Sequence, residues 1–350
     1  MHRSPFLIFS TLLIVIAFSS CGLTNNNTTH CPCIERELTP NGIWQGGEST
    51  QSDFVGLEEV SFDNYPIVDG STSAKVLNMM IACKLLNVRY CWYGAGGGIE
   101  EWGVSPSQED TPEEYKDFWG EHVRTSQTHG AFMNLIDGVA DIILTHRTIS
   151  PDEKAHANEV GVSLIETSVA LDAFVFVINK KNHVKSVTVN QVQKMYMGEI
   201  TNWKQVGGKN VAIDIYSRPR NSGSEEVFRE LVMDGLEPAD FPPYMIINPM
   251  WEVLAIAMDK ENSICYTFNN YKDIMARRPC DVVPVLAING ICPSEHSVKN
   301  KTYPFVSEVR VAIRSDLDTT SIAYKLYEWL QSDNAKSTIE ECGFFTSGYL

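Results

Sequence analysis

Two short segments of this 350-residue chain carry the residue types that bind a small anion. In the later segment, Arg218 is followed by Ser222-Gly223-Ser224, and Ser222 and Glu225 have the spacing of a capping box at a helix start. The first amides of a helix have no partner within it, and its dipole favours negative charge there. These amides, the two serine hydroxyls and the Arg218 guanidinium could converge on one tetrahedral anion. The alternative is ordinary capping by Ser222, with Arg218 in a surface ion pair.

The earlier segment has the same character. Residues 69–74 read Asp-Gly-Ser-Thr-Ser-Ala and follow a short apolar run, 65–68. Apolar residues recur after it at helical spacing, at positions 76, 77, 80, 81 and 85, so a helix is expected to begin here. Two such helix starts facing each other across a cleft would surround an anion with neutral dipoles and one fixed cation.

The N-terminal residues have the pattern of an export signal. A mostly apolar stretch, 6–18, is too short for a bilayer-spanning helix of about 20 residues. Small residues precede Cys21, as in the lipobox of bacterial lipoproteins, although Phe18 departs from the usual aliphatic residue. We expect residues 1–20 to be a lipoprotein signal peptide, Cys21 to be acylated, and 21–55 to form a flexible tether. Ordinary secretory cleavage near the same place is the alternative.

Size and charge limit the remaining possibilities. About 300 residues follow the signal and tether, which is more than one hydrophobic core usually serves, so two lobes are expected. The formal net charge is −16, which makes nucleic acid an improbable partner. An anionic ligand would therefore need a local site built from amides, hydroxyls and a single arginine.

Cysteine pairing remains open at the level of sequence. Eight of the nine cysteines are left once Cys21 is assigned to the lipid, and an even number in an exported chain permits disulfides. The pairs closest in sequence outside the tether are Cys280 with Cys292 and Cys83 with Cys91.

Other cysteines have a simpler interpretation. Cys83 and Cys265 lie in apolar helix and strand patterns, which is typical of buried small hydrophobic residues. Cys31 and Cys33 lie next to His30, but no second ligand pair follows at zinc-finger spacing, so we expect no metal.

The order of predicted elements is that of an α/β protein. Short runs rich in branched residues alternate with helical patterns, and turns at 207–208 and 289–290 separate them. The predicted strands are 140–144, 173–178, 211–216, 263–268, 282–288 and 308–313, and helices are predicted at 189–197 and 324–330.

The order of motifs along the chain resembles the substrate-binding proteins of ABC-type phosphate uptake systems, which have the type 2 periplasmic-binding-protein fold. The resemblance covers about residues 60–348, and its motifs are specific as a series although each is weak alone. The matching segments are 69–73, the glycine-rich 93–99, 140–147, 176–184, 197–203, 207–208, 218–224, 263–266, 302–305, 329–333 and 343–345.

Matching these motifs residue by residue implies a phosphate site. The implied ligand residues are Thr72, Ser73, Gly96, His146, Arg218, Ser222, Gly223 and Ser224. Gly96 stands where the family often has a serine, so it would contribute a backbone amide at most. His146 stands where many phosphate receptors have an aspartate that accepts a hydrogen bond from protonated phosphate. His146 could contact the anion as a donor, especially if it is protonated, or it could be an exposed loop histidine beside a structural Arg147.

The resemblance also implies architecture and partners. We expect two α/β lobes with mixed central sheets, flanked by helices, and a ligand cleft between them. The first lobe would combine 56–168 with 271–350, the second would be 169–270, and crossovers would lie near 168–174 and 262–270. The implied protein is a monomer without organic cofactor or catalytic metal. It would be anchored by lipid outside the cell membrane and would deliver inorganic phosphate to the permease subunits of an ABC transporter.

Several alternatives stay open. The ligand could be sulfate, molybdate or an organophosphate, and the protein could be a sensor or adhesin that performs no transport. The rival enzyme hypothesis is an exported serine hydrolase or phosphatase, with Ser222 as nucleophile, His146 or His129 as base, and Asp141 or Asp172 orienting it. Because Ser222 lacks the Gly-x-Ser-x-Gly context of a nucleophile elbow, we expect no catalysis.

Aromatic residues are the remaining candidates for ligand contact. Trp92, Tyr93 and Trp102 flank the glycine-rich loop and could shield a larger ligand. We expect them to pack in the core or at the hinge instead. Trp203 and Trp251 are likewise expected to be structural.

Overall fold

Eleven strands and ten α-helices form the part of the chain that the structure describes. The computed structural model describes residues 31, 44–45, 56–94, 101–278 and 281–346. The strands are β1 Trp44–Gln45, β2 Val68–Gly70, β3 Tyr90–Gly94, β4 Trp102–Pro106, β5 Ile142–Thr145, β6 Leu164–Ile178, β7 Ser186–Val187, β8 Asp214–Ile215, β9 Ser263–Phe268, β10 Ala287–Ile288 and β11 Val306–Arg314. The α-helices are α1 Lys75–Leu85, α2 Phe118–His122, α3 Gln127–Ile136, α4 Pro151–Val160, α5 Val189–Tyr196, α6 Gly223–Val227, α7 Met250–Asp259, α8 Glu295–Lys299, α9 Ile322–Leu330 and α10 Asp333–Glu341.

A six-stranded mixed sheet organises the molecule, in the order β2-β5-β11-β6-β9-β8. β2 is parallel to β5 and β8 is parallel to β9, while the pairs made by β11 and β6 are antiparallel. Two smaller sheets flank it, β1-β3-β4 and β10-β7. Helices pack against the main sheet, which confirms the mixed α/β architecture predicted from sequence.

The long strand β6 joins the two halves of this sheet. Residues 164–173 of β6 pair with β11, and residues 174–178 pair with β9. Its residues from Val169 to Ile178 are all buried, as expected for a strand that is covered on both faces. We refer to the side carrying β2, β5 and β11 as the first lobe and the side carrying β8 and β9 as the second lobe. The domain boundaries given above stay a prediction, and the predicted crossover at 168–174 contains the point where β6 changes partner.

One predicted strand is much shorter than its apolar alternation suggested. Of the predicted strand 211–216, only β8 pairs with the main sheet. The preceding residues pair elsewhere: the Trp203 amide donates to the Val211 carbonyl at 3.0 Å, and the Ile213 amide donates to the Thr201 carbonyl at 2.9 Å. The apolar alternation therefore corresponds partly to β8 and partly to a local turn that pairs with residues 201–203.

Core packing accounts for two of the tryptophans. Trp92 and Trp203 are buried in the main hydrophobic cluster, as predicted. Trp102 is half-buried against this cluster, and the guanidinium carbon of Arg277 lies 3.2 Å from its ring centroid. None of the helices in the described ranges combines the length and the apolar character needed to cross a bilayer.

The disulfide differs from both predicted pairs. Cys31 is bonded to Cys292, 261 residues away in sequence. Cys83 and Cys91 are unbonded and buried, so that predicted pair is wrong. The pair of Cys280 with Cys292 is also wrong because Cys292 already has a partner, while Cys280 itself lies outside the described residues. Sequence proximity failed here because the partner came from the segment predicted to be a tether.

Loss of this disulfide should lower stability measurably. Cross-linking such a distant pair removes chain entropy from the unfolded state, so Cys292→Ser should reduce the free energy of unfolding by about 2–4 kcal/mol. Denaturant unfolding with and without dithiothreitol measures this. Reduction should destabilise the wild type and leave Cys292→Ser unchanged. Equal sensitivity of both proteins to dithiothreitol would contradict the assignment.

Candidate anion-binding site

Six of the eight predicted ligand residues line one cavity between the lobes. The cavity has a volume of about 480 Å³. The first lobe contributes Thr72 and Ser73, and the second contributes Arg218 with segment 222–224. The two helix starts that the sequence suggested are therefore brought face to face.

A buried carboxylate holds the first helix start in place. Asp69 accepts hydrogen bonds from the Gly70 amide at 2.7 Å, the Ser126 amide at 2.8 Å and the Asn134 side chain at 2.7 Å. The chain then enters a 3₁₀ turn, Thr72–Ala74, that continues into α1. Within the described residues, the amides of positions 72 and 73 have no acceptor, so they are available to a ligand in the cavity.

The Arg218 side chain is fixed by neutral groups of the second lobe. Its Nε donates to Ser224 Oγ at 3.2 Å, and its Nη1 donates to the carbonyls of Ile247 and Asn248 at 2.8 and 2.5 Å. No carboxylate oxygen of the described residues lies within 4.0 Å of its nitrogens. Burial lowers the pKa of Arg218, but a guanidinium keeps its charge at physiological pH. The alternative of a surface ion pair is therefore wrong.

The backbone of Arg218 is held by a second buried carboxylate. Glu225 accepts hydrogen bonds from the Tyr266 hydroxyl, from Ser217 Oγ at 3.1 Å and from Arg229 Nε at 2.7 Å. The Tyr266 oxygen in turn accepts the Arg218 amide at 3.0 Å. Glu225 is thus used to position the arginine. The expected capping box is only half present for this reason.

The second helix start offers free amides. Ser222 caps α6, its Oγ accepting the Glu225 amide at 3.3 Å. The amides of Gly223 and Ser224 have no acceptor among the residues that the structure describes. With the Ser224 hydroxyl and the arginine, they form the cationic wall of the cavity.

His146 lies behind the first wall rather than in it. It is 2% exposed, is not among the lining residues, and its Nδ1 lies 2.8 Å from Ser73 Oγ. Its ring packs against Phe268 and Phe344, with centroids 4.5 and 5.5 Å away. Burial lowers the pKa of His146 from 6.5 to about 3, so the imidazole is neutral. It is neither an exposed loop histidine nor a protonated donor to the anion.

Arg147 is structural, as the alternative interpretation expected. Its Nη1 and Nη2 donate to the two carboxylate oxygens of Glu153, both at 2.7 Å, and both side chains are buried. Of the other predicted functional residues, Gly96 and Cys21 lie outside the described residues, so their roles stay predictions.

The sequence analysis missed a third wall at the start of α3. Gln127, Thr128 and His129 line the cavity, and Thr128 is buried. The signal was present, because 125–128 is another hydroxyl-rich segment before an apolar helical pattern. Trp251 was expected to be structural, but it is 43% exposed and lines the cavity, so that prediction was wrong.

The two lobes touch around the cavity. A Cβ atom on Gly223 would lie 2.5 Å from Thr128 Oγ1, so only glycine fits at this approach. Nearby, Asn221 Nδ2 donates to Asp152 Oδ2 at 2.7 Å, and Arg147 Nη2 donates to the Asn221 carbonyl at 3.4 Å. The structure is therefore a closed form.

The residues of the hydrolase hypothesis make other contacts. Ser222 caps a helix, and His129 Nδ1 bonds to Glu153 at 2.9 Å. His146 bonds to Ser73, while Asp141 Oδ2 accepts the amide of residue 67 at 2.8 Å. No hydrogen bond within the described residues links a base to Ser222. The described residues also include no group of three or more His, Cys, Asp or Glu placed to hold a metal ion.

A mixed sheet shared by two lobes, with a cavity between them, defines a bilobal binding protein of the type 2 periplasmic kind. A model of the PBP superfamily domain matches residues 115–334, which is well over half of the chain, so the chain belongs to the PBP superfamily. This membership agrees with the periplasmic-binding-protein fold that the motifs resembled.

Named relatives are distant. The chain is 26% identical over 177 residues to phosphate-binding protein PstS of Bacillus subtilis, covering 51% of this chain and 55% of that protein. It is 29% identical over 263 residues to phosphate-binding protein PstS of Staphylococcus epidermidis, covering 73% of this chain and 79% of that protein. The chain thus spans little more than half the length of the Bacillus protein.

A solved structure supports the fold. A phosphate ABC transporter substrate-binding protein with bound phosphate, from Clostridium perfringens, superposes with a TM-score of 0.57 at 21% identity. The match covers 82% of this chain and 98% of that one.

A methyl group at Gly223 should keep the two lobes from coming together at the cavity. Because Thr128 Oγ1 occupies the required space, Gly223→Ala should weaken binding of any ligand that needs closure by about tenfold or more. Isothermal titration of the purified protein measures this. The double variant Gly223→Ala with Thr128→Ala removes the clash and should recover most of the affinity. A double variant no better than Gly223→Ala would argue against the contact.

The buried neutral His146 should make stability fall in acid. Unfolded protein takes up a proton near the ordinary histidine value of 6.5, whereas the folded protein takes it up only near pH 3. Between these values, the wild type should lose about 1.4 kcal/mol per pH unit relative to His146→Phe, which cannot titrate. Denaturant unfolding from pH 7 to pH 4 tests this, and parallel pH profiles for the two proteins would contradict it.

Proposed function

We propose that this protein captures inorganic phosphate in the cavity between its lobes and delivers it to the permease of an ABC transporter. The observation that carries the proposal is Arg218, a partly buried cation held by carbonyls and a hydroxyl, with no carboxylate counter-ion among the described residues. A partly buried cation without a direct ion pair is costly unless an anion joins it. No bond is made or broken in this function.

The remaining lining suits a small oxyanion. Amides at 72–73 and 223–224 and the hydroxyls of Thr72 and Ser224 can donate to several oxygens of one tetrahedral ion. The whole chain carries a formal charge of −16, so attraction must come from this local set of donors. The ligand would contact both lobes, and its binding would therefore favour the closed form.

The relatives support the same ligand. Both named relatives are phosphate-binding proteins, and the Clostridium protein was solved with bound phosphate. The proposal also includes a cellular location, taken from the N-terminal pattern. Signal peptide 1–20 would direct export, and Cys21 would be acylated. Tether 21–55 would then connect the protein to the outer face of the cell membrane. The lobes would comprise 56–168 with 271–350, and 169–270.

Titration of phosphate, sulfate and molybdate into the ion-free protein tests the proposal. Phosphate should bind most tightly, and Arg218→Ala should weaken it by about a hundredfold, because charge-assisted hydrogen bonds are lost. Arg314→Ala is the matched control, since it removes an equal charge that is paired with Asp316 elsewhere. Tighter binding of sulfate or molybdate would change the assigned ligand. No binding of any of the three ions would overturn the proposal in favour of a larger ligand or a role without transport.

A further inference from the structure

A line of three buried polar residues runs inward from the cavity wall of the first lobe. Ser73 Oγ lies 2.8 Å from His146 Nδ1, and His146 Nε2 lies 3.8 Å from Asp172 Oδ2. All three residues are buried, and only Ser73 lines the cavity. The imidazole is neutral, so it carries one proton, and the nitrogen that holds this proton decides the direction of the hydrogen bond to Ser73.

The environment of His146 places the proton on Nε2. This nitrogen is buried and makes no hydrogen bond within the described residues, and it faces the carboxylate of Asp172. A lone pair turned towards a carboxylate is repelled, whereas an N–H is attracted. Asp172 Oδ1 also accepts the amides of Ala173 and Asn270 at 2.8 and 3.1 Å, so this carboxyl group acts as a hydrogen-bond acceptor here. With the proton on Nε2, Nδ1 is an acceptor.

The direction of the Ser73 hydroxyl follows. Its single hydrogen is donated to His146 Nδ1 and is not available to a ligand. Ser71 Oγ, 3.1 Å away, must then donate to Ser73, because the Ser73 hydrogen is already used. What remains for the cavity is a lone pair on Ser73 Oγ.

We propose that Ser73 is a hydrogen-bond acceptor for the ligand, kept so by His146, and that it selects an oxyanion that carries a proton over one that carries none. This inference rests on the proposed function and specifies the ligand further. Phosphate keeps at least one proton at neutral pH and can donate it to Ser73, whereas sulfate has none to donate. A sulfate oxygen at the same place would meet a lone pair and leave the buried acceptor unsatisfied.

The Glu101 carboxylate in the cavity wall is already engaged. Its Oε1 accepts the Tyr271 hydroxyl and its Oε2 accepts Lys75 Nζ at 2.8 Å. Ser73 is a neutral acceptor whose partner is set by a second residue. It can therefore discriminate by hydrogen-bond direction without adding negative charge to an anion site.

The ratio of sulfate to phosphate dissociation constants tests the inference. The wild type should favour phosphate, and Ser73→Ala should reduce that preference by about tenfold, mainly by weakening phosphate. Thr72→Val is the matched control: the Thr72 hydroxyl makes no hydrogen bond within the described part of the chain and can turn to donate. Its removal should weaken both anions equally and leave the ratio unchanged.

A second variant separates this role from a structural one. His146→Phe removes the acceptor and frees the Ser73 hydroxyl to donate, so sulfate should bind more tightly than it does to the wild type. Mere damage to the fold would weaken both anions. In the wild type, long-range ¹H–¹⁵N NMR of the histidines should show the His146 proton on Nε2.

The outcomes distinguish the two proposals. If the wild type binds phosphate but Ser73→Ala leaves the ratio unchanged, or if His146 carries its proton on Nδ1, the inference is wrong and the proposed function stands. If the wild type binds no phosphate, the proposed function fails and the inference fails with it.

Discussion

The placement of the Arg218 cation, with no carboxylate of the described residues at ion-pair distance, is the constraint on which this site depends. Removing the Arg218 guanidinium from water without hydrogen-bond acceptors would strongly destabilise the fold. The second lobe provides these acceptors from two backbone carbonyls and the Ser224 hydroxyl. Glu225, the nearby buried carboxylate, takes three other donors and helps to hold the backbone of Arg218 through Tyr266. The second lobe thereby places a positive charge at the cavity wall although the chain as a whole carries a formal charge of −16.

The first lobe contributes polarity of a different kind. Asp69 and His146 are both buried beneath the first wall, and neither lines the cavity. Asp69 fixes the backbone so that amides point towards the ligand, and His146 fixes the direction of a hydroxyl. Buried polar groups usually require hydrogen-bond partners. Here the hydrogen bonds of Asp69 and His146 also orient the groups that line the cavity.

Local pattern predicted the parts of the site that are local in sequence. A hydroxyl-rich turn before an apolar helical stretch identifies the walls at 71–73 and 222–224, because free amides and capping serines arise within a few residues. The sequence could not show which segments of the two lobes come together at the cavity. Thr128 was therefore missed, and Trp251 was wrongly expected to be structural. The depth of His146 also escaped prediction, since burial depends on Phe268 and Phe344, which are distant in sequence. The disulfide was predicted wrongly for the same reason, because Cys31 and Cys292 are distant in sequence.

The contacts between the rims of the lobes have a kinetic meaning. Asn221, which adopts a left-handed φ of 66°, contacts Asp152 and Arg147 of the first lobe. If the proposed ion enters before the lobes come together, these contacts act on its rate of escape rather than on its rate of capture. In the proposed receptor, the residence time of a bound ion would thus depend partly on Arg147 and Asp152, which do not line the cavity. The rim could then change how long the ion is retained without altering what the cavity recognises.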